Sequence, residues 1–306
     1  MLSIFCWLRF LRLRLSLPAL AALLALLLSS IPVMQGVGLL QLALLVSCLI
    51  SGAALLLVSG RLFLAGVLLA LATAKPQLAV LPIAWLALWA LSDWRHRRSL
   101  VTGFAATLTA LLLVSEYLLP GWLIRYPDAL RAYAGYTGAT TFLDVFFFHF
   151  SSWPISVSLF LIAASFCWRA RREPATSCAF AIALGFVMTL TVLILPAVVL
   201  PFNHVLLFPV VLLMILHRKD LWHANRLTRF ACVIFLGFGL LPWLLALVPD
   251  CAPSSLGQSW FLWLAPLAAS LALPFASFGS LLLMRRLNAF HSVSPLVTTQ
   301  HQSLPG

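Results

Sequence analysis

The sequence predicts an all-α polytopic membrane protein with about ten transmembrane segments, and three observations support this prediction. Hydrophobic residues make up 63% of the 306 residues and charged residues only 8%, whereas an ordinary soluble domain is about 25% charged. Apolar stretches near the ~20 residues of a spanning helix recur along the chain. The net charge of +12 comes from short basic clusters between them, which is typical of positive-inside topology. A nucleic-acid partner is therefore a poor interpretation.

The apolar stretches and their polar boundaries define ten predicted segments, two of which are short. These segments cover residues 15–33, 37–59, 62–74, 77–92, 99–118, 145–168, 175–195, 202–217, 228–248 and 260–284. Their pattern divides the chain into a basic cytoplasmic N-terminus (1–14), a transmembrane domain (15–286) and a polar, disordered cytoplasmic tail (287–306). The N-terminal arginines and the apolar run after them resemble a signal peptide. Because more spans follow and no cleavage site stands out, we interpret this run as the first span.

The two short segments surround Lys75, and they allow two interpretations. Either they form a hairpin with Lys75-Pro76-Gln77 at its tip, or residues 62–92 form one kinked helix. The hairpin places sixteen Lys and Arg residues inside and three outside, whereas the single helix divides them twelve and six and leaves Lys75 in the membrane. The positive-inside rule favours the hairpin, with both termini cytoplasmic in a multi-pass protein of the plasma (inner) membrane.

The short hairpin arms predict a recessed, polar site around Lys75. A 13-residue helix is about 20 Å long, less than the ~30 Å hydrocarbon core. The tip is therefore expected below the outer surface, where broken backbone is tolerated only inside protein or beside a wet cavity. Pro76 removes a backbone donor and disfavours helix at Lys75. Because lysine binds phosphate as a point charge, an anionic lipid phosphate is the expected partner.

The outer face gathers further polar and aromatic residues. All four tyrosines lie between residues 117 and 136, and the pattern there predicts an interfacial amphipathic helix in an outer loop at about 119–141. This helix is either an aromatic anchor without chemistry or the border of a substrate cleft. Its polar side carries Arg125, a second candidate for the donor phosphate. The other candidate polar residues of the cavity in this region and beyond are Asp128, Asp144, Asn203 and His204.

Several kinds of chemistry lack their motifs. The six cysteines are scattered without metal-ligand spacing, so no metal site is expected and the cysteines are interpreted as apolar packing residues. There is no Walker A loop, no Rossmann fingerprint and no HExxH motif, which argues against cytosolic nucleotide chemistry. No cofactor is expected. A lone histidine such as His204 is more often structural than catalytic, and Asn203 could equally be a helix N-cap.

The segment "RLFLAGVLLALATAKPQLAVLPIAW" and the basic loop after it resemble the integral-membrane GT-C glycosyltransferases of family 87, which include polyprenyl-phosphate-mannose-dependent mannosyltransferases. The family's "AG…KPQ" pattern is matched by Ala65-Gly66 and Lys75-Pro76-Gln77. The segment around Gln41 and the segment "PFNHVLLFPVVLLMILHRK", which contains Asn203, are similar to the family's flanking segments. The resemblance implies a GT-C-like fold, a polyprenyl-phosphate sugar donor beside membrane lipids, Lys75 at the donor phosphate, and Gln77, Gln41 and Asn203 as polar wall residues.

One departure from the family keeps other hypotheses open. Family members usually begin with a further span and a long outer loop that carries an aspartate proposed as the catalytic base. Nothing in this sequence matches that loop, and no acidic residue precedes Asp93, so the usual base is expected to be missing. The alternatives are a non-catalytic or truncated paralogue, a partner subunit, or a flippase or transporter of lipid-linked sugars. No oligomeric state is predicted.

Overall fold

The computed structural model describes residues 1–137, 141, 143–144, 149–195, 200–224, 226, 229, 233 and 274–284. Every regular element within these ranges is helical, which confirms the all-α class. The predicted segment at 228–248, the first part of 260–284 and the tail at 287–306 lie almost entirely outside these ranges. The elements are α1 (Leu2–Phe10), α2 (Leu17–Leu28), α3 (Ile31–Gly38), α4 (Leu42–Val58), α5 (Leu62–Ala72), α6 (Pro76–Leu91), α7 (Trp94–Leu118), α8 (Trp122–Thr137), α9 (His149–Ala170), α10 (Cys178–Ile194), a 3₁₀-helix (Pro201–Leu207), α11 (Phe208–Leu216), α12 (Arg218–Ala224) and α13 (Pro274–Met284).

Two helices of the described part are long and apolar enough to cross a membrane. They are α7, with 25 residues, and Ser152–Ala170 within α9, with 19 residues. A third span is possible if α2 and α3, which meet at a bend of 57°, cross together. The surfaces of α7 and α9 are mostly exposed, as expected for helices covered by lipid. These helices indicate membrane insertion, but the number of about ten spans is not confirmed.

Within the described residues, several helices end before the apolar sequence around them does. The first predicted span, 15–33, is broken after Leu28, where Ser29 and Ser30 precede the proline in the first turn of α3. The predicted span 202–217 begins as a 3₁₀-helix. Serine and proline favour such helix ends. The serine hydroxyl forms hydrogen bonds with nearby backbone groups, and proline lacks the backbone N–H that would bond to the preceding turn of a helix.

Helix α1 is an element that the sequence analysis did not predict. It lies within the basic N-terminus and packs against α4. Its apolar residues Ile4 and Trp7 are each 1% exposed, and the hydroxyls of Ser3 and Ser47 lie 3.3 Å apart. The apolar positions of this segment recur at helical spacing, which is the signal for such a helix. The nearby arginines instead indicated a basic terminus.

Helices α5 and α7 lie in direct backbone contact. A Cβ atom added to Gly66 would lie 2.2 Å from the carbonyl oxygen of Leu100 and 2.6 Å from the backbone nitrogen of Phe104. A Cβ added to Gly103 would lie 2.2 Å from the carbonyl oxygen of Phe63. Such an approach is possible only between residues without side chains, as in the small-residue contacts of other membrane helices.

The glycine contact distinguishes the two interpretations of residues 62–92. In one continuous helix followed by α7 running back, position 103 would lie level with position 82. It would then be about 24 Å along the axis from position 66. Instead Gly66 and Gly103 touch, which requires the chain to turn back between α5 and α6. The structure therefore favours the hairpin, with its break at residues 73–75.

Helix α10 forms the centre of the described structure. Its residues from Phe180 to Leu193 are all buried, and it contacts α6, α9, α11 and the 3₁₀-helix. Near its first turn, the ring of Phe180 packs against Trp85 at 4.8 Å and Trp89 at 5.3 Å between centroids. Since these tryptophans lie in the second half of α6, α6 and α10 run side by side in opposite directions.

A buried arginine joins the corner between α6 and α7 to the loop between α9 and α10. The Arg97 guanidinium donates to the carbonyl oxygens of Trp89 and Arg171, both at 2.9 Å, and to those of Arg172 and Glu173, both at 3.3 Å. It also stacks 3.9 Å from the centroid of the Trp89 ring. One cation thus satisfies carbonyl groups of the last turn of α6 and of the loop between α9 and α10, at positions where helix ends leave acceptors unpaired.

Side chains at the same corner reinforce this contact. The Ser92 hydroxyl donates to the carbonyl oxygen of Arg171 at 2.5 Å. The Asp93 carboxylate accepts a 2.8 Å hydrogen bond from His96 Nδ1 and lies 3.8 Å from Arg97 Nε. The hydrogen bond from His96 is the main cause of a lowered pKa of Asp93, and the charges of His96 and Arg97 act in the same direction. Asp93 therefore stays ionised beside Arg97.

The glycine contact makes a stability prediction. Gly66→Ala or Gly103→Ala should destabilise the protein by about 1–3 kcal/mol, because the new methyl group forces α5 and α7 apart. Gly135→Ala in α8 is the control, since a Cβ there meets open space and alanine is the better helix former. The midpoint of thermal unfolding in detergent micelles measures the difference. An unchanged midpoint for both of the first two variants would contradict the contact.

The corner makes a second prediction. Arg97→Met keeps the apolar stem but leaves several partly buried carbonyl groups unpaired, which should cost at least about 2 kcal/mol. The control is Arg98→Met, which removes the same charge from an exposed neighbour. Denaturant or thermal unfolding of the purified protein compares the two variants. Equal losses of stability would show that charge, rather than the buried contact, governs the effect.

Candidate functional site

The site begins at the break between α5 and α6. Helix α5 ends at Ala72, and the Thr73 hydroxyl donates to the carbonyl oxygen of Ala70 at 2.6 Å. Lys75 has a non-helical backbone (φ −130°, ψ 80°) and immediately precedes Pro76, the first residue of α6. This is the expected arrangement, because proline is favoured at the first helical position and disfavours helix at the residue before it.

The Lys75 side chain contacts two residues of the 3₁₀-helix. Its Nζ donates a 2.9 Å hydrogen bond to Asn203 Oδ1, across 128 positions of sequence. The same Nζ lies 4.8 Å from the centroid of the Phe202 ring, within the range of a cation–π interaction. The structure thus brings together two of the predicted site residues, Lys75 and Asn203. Phe202 was missed by the sequence analysis, although it directly precedes Asn203.

The 3₁₀-helix is fixed by the helices around it. It contacts α3, α4 and α10, and the Ser47 hydroxyl of α4 donates to the carbonyl oxygen of Val205 at 3.4 Å. Asn203 and His204 are both fully buried. The amide oxygen that faces Lys75 therefore stands on a rigid, buried segment rather than on a surface loop. His204 shares this segment, which places it next to the Lys75 contact in sequence.

The charge of Lys75 has only neutral partners within the described residues. The ion pairs found there join Asp93 to His96 and Arg97, and Asp128 to Arg131, so none involves Lys75. The lysine is half-buried, and burying a charge without a counter-ion is unfavourable. The amide oxygen and the aromatic face reduce this cost without cancelling the charge. An anion would complete the site.

Arg125 and Asp128 lie on α8, a helix within the predicted segment 119–141, and its position at a membrane interface stays a prediction. Both residues are exposed, and Asp128 forms a 2.6 Å ion pair with Arg131. Exposed pairs of this kind contribute little to stability. Helix α8 packs on α7, and no contact given for the described residues brings Arg125 to Lys75. Its role as a second phosphate ligand stays a prediction.

Asp144 has a structural task at the start of a helical turn. Its Oδ2 accepts from the backbone nitrogen and the hydroxyl of Thr141, both at 2.7 Å. Its own backbone nitrogen donates back to the Thr141 hydroxyl at 3.2 Å, which completes a reciprocal capping arrangement. Its other carboxylate oxygen accepts from Ser152. The carboxylate is thus engaged by its own segment and by α9.

The two predicted glutamines lie at helix starts. Gln77 is the second residue of α6 and is half-buried. Gln41 is the N-cap residue of α4, although its side chain forms no capping hydrogen bond. Gln41 borders an open, largely apolar groove of about 360 Å³ lined by Gly36, Val37, Leu40, Leu42, Leu44 and Leu45. No described contact connects either glutamine side chain to Lys75.

Among the residues that the structure describes, no cluster of metal ligands is found at this site. Within the ranges that the structure describes, no group of three or more His, Cys, Asp or Glu residues is placed to hold a metal. The arrangement around Lys75 instead offers one ammonium group, one amide and an aromatic face. These groups suit the binding of an anion with several oxygen acceptors, such as a phosphate ester.

Comparison with known protein families gives one match. Residues 1–201 match the model of glycosyltransferase family 87. No curated protein and no solved structure matches the chain. The matched region contains Lys75 and the hairpin, and it ends two residues before Asn203. The cation of the site thus lies inside the family region, while its amide partner lies just beyond it.

Proposed function

The chain belongs to glycosyltransferase family 87, and from this premise we propose that it transfers a hexose, mannose being the expected sugar, from a polyprenyl-phosphate donor. The reaction takes place at the outer face of the plasma membrane. The observation that carries the proposal is the half-buried Lys75 ammonium at a helix break, with neutral partners only among the described residues. A lipid-linked phosphate supplies the missing negative charge.

In this reaction the acceptor hydroxyl oxygen attacks the anomeric carbon of the sugar, and the bond from that carbon to the phosphate oxygen breaks. The phosphate leaves with increased negative charge, which the Lys75 ammonium stabilises where it develops. The hydroxyl proton passes to a general base. None of the described carboxylates contacts Lys75, and Asp128 and Asp144 are engaged elsewhere. The role of Lys75 is therefore confined to the phosphate.

Gln77, Gln41 and His204 are proposed as polar residues around the donor, in addition to Asn203. The hairpin supports this placement for Gln77, which directly follows the Lys75-Pro76 break. The 3₁₀-helix supports it for His204, which is fully buried beside Asn203. A non-catalytic partner subunit is the competing hypothesis. The hydrogen bond from Lys75 to Asn203 agrees with this competing hypothesis if its role is only to hold the hairpin against the 3₁₀-helix.

The first test concerns the charge of Lys75. Lys75→Ala and Lys75→Gln should each reduce sugar transfer from a polyprenyl-phosphate mannose by at least ~100-fold, because a charge-stabilising group is lost. Glutamine can still donate to Asn203, so Lys75→Gln removes the charge while retaining a tertiary contact. The assay follows labelled mannose in proteoliposomes. Lys219→Ala, at the exposed second lysine of the chain, is the matched control and should be as active as the unsubstituted protein.

The outcomes separate the hypotheses. Full activity of Lys75→Gln in an active background would contradict the phosphate role of the lysine. Absence of transfer by the unsubstituted protein with every polyprenyl-phosphate hexose tried would favour the non-catalytic partner subunit. A lowered unfolding midpoint in Lys75→Ala but not in Lys75→Gln would assign the alanine effect to the lost contact.

The second test concerns the membrane face. A cysteine at Gln77 should react with a small, membrane-impermeant maleimide added outside right-side-out vesicles, because the hairpin tip faces outwards. A cysteine at Arg98 should react only after the vesicles are opened, since the positive-inside rule places this basic corner in the cytoplasm. The unsubstituted protein gives the background of the native cysteines. The reverse pattern would contradict the proposed topology.

A further inference from the structure

We infer that Asn203 and Phe202 form a charge-neutral cradle that holds the Lys75 ammonium in place without neutralising it, which makes Asn203 a positioning residue for an anionic phosphate ligand. The identity of that ligand as a lipid-linked phosphate rests on the proposed function. The inference about neutrality rests on the contacts themselves. It assigns a role to a residue outside the region that matches the family.

The first step is the geometry of the ammonium group. A lysine ammonium has three donors, and Lys75 uses one of them on Asn203 Oδ1 at 2.9 Å. It forms no other hydrogen bond with the described residues. The Phe202 ring centroid, 4.8 Å away, favours a cation near this point but takes up no hydrogen-bond donor. Two donors therefore remain for oxygen atoms of a ligand.

The second step is the absence of a counter-charge from the cradle. A buried lysine is usually paired with a carboxylate, which makes strong, charge-assisted hydrogen bonds. At position 203 an asparagine stands where an aspartate of nearly the same shape would form such a pair. An ion pair there would compete with a phosphate for the same ammonium group. The amide orients the lysine and leaves its charge available.

The third step is the rigidity of the acceptor. Asn203 is fully buried, and its 3₁₀-helix contacts α3, α4 and α10. The hydrogen bond from Ser47 to the carbonyl oxygen of Val205 adds to this support. A long lysine side chain has much rotamer freedom, so a fixed acceptor reduces the entropy that ligand binding must otherwise overcome. As a positioning residue, Asn203 thus acts on ligand binding through Lys75.

A purely structural contact makes the opposite prediction about substitutions. If the bond only joins the hairpin to the 3₁₀-helix, Asn203→Asp should be tolerated, because it keeps the shape and strengthens the attraction to lysine. Asn203→Leu should then be the harmful change. The cradle predicts that Asn203→Asp is the most harmful change for phosphate binding, and that Asn203→Ser, which keeps a neutral oxygen, is milder. The order follows charge rather than size.

The experiment measures binding of undecaprenyl monophosphate to the full chain in detergent micelles, by native mass spectrometry and by the ligand-induced shift of the unfolding midpoint. Asn203→Asp should weaken binding at least ~10-fold, as expected when a charged hydrogen-bond partner is lost to a competitor. Asn203→Ser should weaken it less. The matched control is Asn288→Asp, the same substitution in the segment assigned to the tail, and it should bind as the unsubstituted protein does.

Each result decides a separate point. If the Asn203→Asp variant binds the phosphate lipid with the same affinity as the unsubstituted protein, the cradle is overturned, even if the protein transfers sugar. If Asn203→Asp abolishes binding of the phosphate lipid and the unsubstituted protein transfers no sugar, the cradle is supported and the proposed reaction is overturned. No binding by the unsubstituted protein would overturn the cradle. If Asn203→Asp fails to fold, Asn203→Ser and Asn203→Leu decide, because equal binding by these two would also overturn it.

Discussion

The hydrogen bonds of Arg97 set the register between the two helices on which the site depends. They join the end of α6 to the loop that precedes α10, and the stacking of Phe180 on Trp85 and Trp89 extends this contact along both helices. The helices have 16 and 17 residues, so each extends about 24–26 Å from the shared corner. Their far ends are therefore level. Lys75 directly precedes the far end of α6, and Asn203 follows the far end of α10 in the chain.

The site combines a rigid frame with an unsatisfied charge. The glycine contact between α5 and α7 fixes one arm of the hairpin, and the corner around Arg97 fixes the other. Most of the polar groups in this frame have close partners: the Arg97 guanidinium, the Asp144 carboxylate and the hydroxyls at helix ends. Lys75 differs because its partners among the described residues carry no charge. Among the described residues, a fold that compensates the buried Arg97 while leaving the charge of the half-buried Lys75 available is suited to an anionic ligand.

Local sequence patterns predicted those parts of the structure that local physics controls. The break at Lys75-Pro76 follows from the geometry of proline, and the amphipathic helix around residue 126 follows from its periodicity. The number of about ten spans is not confirmed, because within the described residues serine and proline end helices inside apolar stretches that hydropathy joins together. The capping role of Asp144 was also missed, although Thr141 stands three positions before it and supplies the signal for a capping box.

By itself the sequence determined the helical class and the family resemblance and indicated one lysine as a site candidate, because composition, proline placement and charge distribution act within a few residues. Only the tertiary structure decided which residues meet that lysine. Asn203 lies 128 positions away, and its neighbour Phe202 belongs to an apolar run with no distinguishing pattern. Their approach depends on matched helix lengths, on a glycine contact and on a buried arginine. These are relations between distant segments, which no local pattern encodes.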